Sequence, residues 1–208
     1  ERTLSSETIG LTCQLYETLI ELVQGPCTAN QGFLIGTNLC DVAVRFMHGT
    51  YPDCATADVI TLKLLCLRLL LAMVEGVQAD RAVIPRRIAS SLDYKRLIHE
   101  LDAAYRYSGG ESTPFTEMTD LQRAWRELGF FFFLLIRTLG KYSPPILELA
   151  KAKAHSYSFF AANTGAIEIE GGDKSLSEVF FPVPILFQWL SQKSKDNLLM
   201  DVDRSTPQ

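Results

Sequence analysis

The chain has 208 residues, a formal net charge of −4 and an apolar fraction of 47%. That length supplies a sizeable core for one large domain or one and a half small ones, and the acidic balance with no basic stripe speaks weakly against a nucleic-acid surface. The five cysteines, Cys13, Cys27, Cys40, Cys54 and Cys66, are an odd number without Cys-x-x-Cys spacing. They read as reduced, mostly buried thiols in a cytosolic protein, not as zinc ligands or a disulfide framework. The chain opens at Glu1 with neither Met nor a signal peptide and reads as a piece of a longer polypeptide.

Leu11, Leu15, Leu19 and Leu22 at helical spacing predict a first helix over residues 7–24, with Ser5 or Ser6 as N-cap. Gly25-Pro26 ends it, because glycine tolerates left-handed dihedrals and proline cannot continue a helix. Glu21 sits in the last turn, an odd place for an acid beside the partial negative charge of a helix C-terminus. It is there either solvated or holding a cation. Thr28 or Asn30 can cap a second helix, predicted over 31–48. The third, 55–77, is apolar on most faces and therefore central, with Lys63 and Arg68 interrupting the run. Shorter helices follow over 81–91 and 94–107. Ser108 to Pro114 reads as an exposed loop or an internal boundary. Thr119-Asp120 is a capping signal for a helix to about 139, and Pro144 or Pro145 opens another over 144–162. The apolar run Leu128 to Ile136 is about half the length that crosses a bilayer, so it reads as a buried helix. Among Phe130 to Phe133, at least two belong in the core.

The period then changes. Ala166 to Glu170 alternates as a half-buried strand does, Gly171-Gly172-Asp173-Lys174 is turn chemistry, and Leu176 to Val183 is a second strand. A lone hairpin is marginal in water, so it should pack on helices or extend a partner's sheet. Its Ile167, Ile169, Phe180 and Phe181 are the candidate interface residues. A final helix is predicted over 185–199. The fold class is thus mostly α: a stack of helices suited to an α-solenoid segment, then a C-terminal β-hairpin and helix. The expected domains are 1–162, with a loop at 108–118, and 163–208.

Catalytic signals are nearly absent. His99-Glu100 begins a zincin-like pair, but Ala103 stands where the second histidine is needed. Gly171-Gly172 lacks the helix start of a phosphate loop. Asp201, Asp203 and Ser205 alternate like a calcium loop, but the glycine at the sixth place is missing and Pro207 intrudes. No nucleophile or metal site is assembled, so the chain reads as a non-enzyme.

The block Thr18 to Gln31, with its Glu21-Leu22-Val23-Gln24-Gly25-Pro26-Cys27 centre and Asn30-Gln31 end, resembles a block of the intracellular calcium-release channels, the inositol trisphosphate and ryanodine receptors. Three later stretches are similar in the same order: Lys63 to Gly76, Leu97 to Tyr105, and the hairpin, Asn163 to Glu170 with Leu176 to Pro184. The Phe181-Pro182-Val183-Pro184 end resembles the inositol trisphosphate branch more closely. Where the family carries Tyr after the block's glutamate, this chain has Leu22.

The resemblance implies an armadillo-like domain associated with the family's homology repeats, followed by the start of the lateral domain ahead of the pore. It implies a homotetramer on the cytosolic face of the endoplasmic reticulum or another Ca²⁺ store, meeting the membrane only through the parent channel. The partners would be other domains of that channel, the C-terminal domain and the upstream solenoid. Glu21 would be one ligand of a regulatory Ca²⁺ whose other ligands lie outside this chain, so the isolated fragment would hold no cofactor. Glu75 would be a structural contact near that interface. The function implied is a regulatory and coupling segment that relays ligand and Ca²⁺ signals to the pore. The alternative from the residues alone is a free-standing helical-repeat scaffold for binding proteins.

Overall fold

The computed structural model describes residues 4–77, 82–170, 176–183, 191 and 193–194. The chain divides into two compact units, Glu1–Ala162 and Asn163–Gln208.

The first unit is helical. Its elements are α1 (Ser6–Val23), α2 (Thr28–Ile35), α3 (Leu39–His48), α4 (Thr56–Val74), α5 (Val83–Ser91), α6 (Tyr94–Tyr107), a 3-10 turn (Phe115–Glu117), α7 (Asp120–Gly140), α8 (Pro144–Lys153) and α9 (His155–Ala162). Local chemistry explains many of the starts. Ser5 caps α1, its N–H donating to Thr8 Oγ1 at 3.0 Å. Asp93 accepts from the Lys95 and Arg96 amides at the start of α6. Thr119 and Gln122 form a reciprocal capping box at α7. Pro144 and Pro145 occupy the first turn of α8.

Two predicted helices are each divided in two. The run 31–48 breaks at Gly36-Thr37-Asn38, and the first half starts earlier, at Thr28. Thr37 Oγ1 donates to the Leu34 carbonyl at 2.6 Å and accepts from the Leu39 amide at 3.2 Å, so one hydroxyl ends α2 and braces the start of α3. The run 144–162 breaks at Ala154, whose extended backbone separates α8 from α9.

Helix α4 is the centre of the unit. From Leu62 to Val74 every residue except Leu64, Arg68 and Leu71 is buried, and α1, α3, α5 and α7 pack on it. Helix α7 continues the core toward α6, α8 and α9. Of its four consecutive phenylalanines, Phe130, Phe132 and Phe133 are buried, and Phe131 packs half-buried against them. Such neighbour-to-neighbour packing suits a solenoid segment.

The stretch 108–114 is no boundary. Ser108 is fully buried, and Arg126 of α7 reaches back to donate to the Gly110 carbonyl at 2.7 Å and to Ser108 Oγ at 3.3 Å. The same guanidinium lies 4.7 Å above the Phe159 ring.

In the second unit β1 (Thr164–Glu170) pairs antiparallel with β2 (Leu176–Pro182). The predicted turn at 171–174, all of the predicted helix at 185–199 except 191 and 193–194, and the Asp201–Ser205 pattern lie outside the described residues. None of the described helices is long and apolar enough to cross a membrane.

Candidate functional site

Helices α1 and α4 run parallel. Near their starts Cys54 Sγ donates to the Leu4 carbonyl at 3.8 Å. At their ends a Cβ on Gly76 would lie 2.4 Å from Pro26 Cγ. Gly25 and Gly76, the residues just past each helix, take φ of 85° and 67°, the left-handed region that glycine enters without strain.

The turn between α1 and α2 closes over both helix ends. Asn30 Nδ2 donates to the Leu22 carbonyl in the last turn of α1 at 2.6 Å. Gln31, only 1% exposed, donates from Nε2 to the Ala72 carbonyl at 2.8 Å and to the Glu75 carbonyl at 3.0 Å. Helix ends leave carbonyls short of partners along the chain; of these three, Ala72 also accepts from the Glu75 amide at 3.4 Å. Asn30 and Gln31 supply partners from the side, and Pro26 fills the space against Gly76. Asn30 therefore caps the end of α1, not the start of α2; Cys27 holds the N-cap position of α2.

Glu21 and Glu75 both lie at this double end and both are exposed. Glu75 is the C-cap residue of α4, and its backbone, not its carboxylate, makes the contact to Gln31. Ca²⁺ takes six to eight oxygen ligands. Among the described residues no three of His, Cys, Asp and Glu come together so as to hold a metal ion. The Glu21 carboxylate by itself supplies too few oxygens for such an ion.

A second polar cluster lies between α3, α4 and α6. Lys63 Nζ meets Glu100 Oε2 at 2.8 Å, with the two side chains 9% and 14% exposed. This is where the His99-Glu100 pair places its acid, in an ion pair with Lys63. Arg96, one turn earlier on α6, donates to the His48 carbonyl at the end of α3. The His48 ring is buried with neither nitrogen hydrogen-bonded. Burial first, and then the charge of Arg96, pull its pKa from 6.5 down to about 4. In the unfolded chain His48 binds a proton near its ordinary value, so stability is full above about pH 6.5 and falls as pH drops toward 4. Urea midpoints across that window should therefore fall less steeply for His48→Leu than for the parent; equal slopes would contradict a neutral, buried imidazole.

His99 and His155 come together at an open depression of about 470 Å³, lined also by Asp102, Tyr105, Arg106 and Ser156. Ser156 is 1% exposed and donates to Asp102 Oδ1. Held by a carboxylate, that hydroxyl braces the start of α9 and is not presented as a nucleophile. His155 Nε2 lies 3.4 Å from Glu111 at the surface.

In the hairpin, Gly165, Ile167 and Ile169 stand opposite Phe181, Val179 and Ser177. Ile167, Ile169, Val179 and Phe181 therefore share one face and are 50%, 46%, 42% and 36% exposed. Phe180 falls on the other face, opposite Ala166, beside Glu168, which stands directly across from Glu178. The four candidate interface residues are thus divided between two faces.

Residues 1–47 match the family described as RyR and IP3R Homology associated. The match takes in α1, α2 and nearly all of α3, and with them Glu21, the Gly25-Pro26 turn, Asn30 and Gln31. It supports a relation to the inositol trisphosphate and ryanodine receptor family of calcium channels, and it rests on the segment that closes the helix ends.

Proposed function

We propose that this chain is a cytosolic regulatory and coupling segment of a tetrameric, ligand-gated Ca²⁺-release channel in an intracellular store membrane, of the inositol trisphosphate branch. The observation that carries this reading is the family match over residues 1–47, because its Asn30 and Gln31 are the residues that join α1 and α2 to the end of α4. A segment built in this way transmits displacement of one helix end to the other. In the assembled channel Glu21 would give one carboxylate to a regulatory Ca²⁺, with the remaining oxygens supplied by other domains of the same protein. The first unit would be the armadillo-like domain and the second the start of the lateral domain, with the hairpin as the mechanical joint.

The test uses the full-length polypeptide that carries this segment, expressed in cells stripped of their own release channels. Agonist-evoked store Ca²⁺ release is expected, and Glu21→Gln should raise the Ca²⁺ needed for half-activation by about tenfold or more, since affinity follows ligand charge count. In calorimetry the 208-residue chain alone should show no tight Ca²⁺ binding that depends on Glu21. Absence of store release, or tight Glu21-dependent binding by the isolated chain, would overturn the reading.

A further inference from the structure

Helix α1 has two faces that differ in kind. Ile9, Tyr16, Ile20 and Val23 are buried, on the side that packs against α4. On the far side Leu11, Leu15 and Leu22 are 70%, 57% and 51% exposed. At 100° per residue these three leucines fall within about 40° of one another, in a line about 16 Å long. Glu7 and Glu21 fall on one flank of that line, about 60° and 100° from its middle, while Glu17 lies further round toward the buried face, and α1 contains no Lys, Arg or His. None of the three glutamates pairs with a cation among the described residues. An isolated exposed leucine needs no explanation, but an aligned row with a one-signed border does.

We propose that this outer face of α1 is a docking surface for a basic amphipathic helix. Leu11 and Leu15 form an i, i+4 ridge that seats between the apolar side chains of a facing helix. The acidic flank requires Lys or Arg along one border of that partner. It also disfavours an anionic lipid surface, where like charges would meet. The charge pattern selects the occupant: it fits a cationic helix with leucine-type residues at three- and four-residue spacing. This surface does not depend on the channel reading, and it faces away from the α4 contacts that organise the unit.

The probe is an 18-residue synthetic peptide of leucine and lysine at amphipathic helical spacing, labelled for fluorescence anisotropy with the full chain. Saturable binding that weakens with salt is expected. The same peptide with glutamate replacing lysine should not bind. Leu15→Ser with Leu22→Ser should weaken binding about tenfold or more, as loss of central apolar anchors does. Glu7→Gln, which leaves Glu21 untouched, should weaken it about twofold and flatten the salt dependence. Because all these positions are exposed, the variants should keep the parent's circular dichroism and unfolding midpoint. Equal binding of both peptides, or affinity unchanged by the leucine variants, would overturn the proposal. Concentration-dependent self-association abolished by Leu11→Ser and Leu15→Ser would assign the face to a second copy and overturn it as well.

Discussion

Replacing Glu100 by alanine should cost about 3–5 kcal/mol of unfolding free energy, the range for stripping one partner from a buried ion pair. Lys63 would then keep an ammonium at 9% side-chain exposure with its carboxylate partner, now 2.8 Å away, removed. Lys63→Met alone should be costly for the mirrored reason, since Glu100 is 14% exposed. Making both changes at once, Lys63→Met with Glu100→Leu, should recover most of the loss, because no uncompensated charge remains and apolar groups fill the same volume. Denaturant unfolding of the four proteins measures the cycle. A cost below about 1 kcal/mol for Glu100→Ala would show that water screens the pair as it does surface ion pairs. The pair joins α4 to α6, while Arg96 of the same helix holds the His48 carbonyl at the end of α3. Its loss should therefore loosen three helices together.

Gln31→Ala should destabilise the helical unit by about 2–3 kcal/mol, combining two lost hydrogen bonds with a small cavity. Gln31→Glu keeps the shape but removes both donors. It also sets a carboxylate against the Ala72 and Glu75 carbonyls, which Gln31 now reaches at 2.8 and 3.0 Å. The glutamate variant should thus be the less stable of the two, the reverse of what side-chain volume alone would give. Chemical denaturation ranks them. If Gln31→Glu proves the milder change, the amide is not acting as a donor to those carbonyls.

How much of this was legible in the sequence depends on the range over which each feature is decided. The period of Leu11, Leu15, Leu19 and Leu22 and the apolar run through α4 are local, and the helices stand where they point. The caps at Ser5, Thr119 and Pro144 are local too. The breaks inside 31–48 and 144–162 were harder. Gly36 only weakens a helix, and what completes the first break is the Thr37 hydroxyl bonding both ways. Ala154 is a strong helix former by propensity, and nothing in its own neighbourhood announces the second break. The site divides in the same way. The Gly25-Pro26 stop and the misplaced acid at Glu21 could be read directly. Gln31 could not, because its acceptors lie 41 and 44 residues away. Lys63 stood out only as an interruption, with its partner 37 residues further on. Asn30 and Thr28 are both N-cap candidates by residue type, yet the Asn30 side chain turns back to the helix before it.

The parallel run of α1 and α4 has a consequence for how the chain folds. Antiparallel neighbours can be joined by a few residues, but parallel ones need a return path, here supplied by α2 and α3. The contacts that tie α1 and the turn after it to α4 therefore close across 50 residues at one end, between Leu4 and Cys54, and 44 at the other, between Gln31 of α2 and Glu75. Chain-closure entropy must be met before those contacts form, which slows folding relative to a simple up-and-down bundle. A nascent chain that stops at residue 47, the end of the family match, would lack α4 altogether. Tyr16, Ile20 and Val23 would face water until α4 emerged. The stretch that relatedness picks out is thus not a unit of folding, and an expression product cut to those limits should aggregate or remain unstructured.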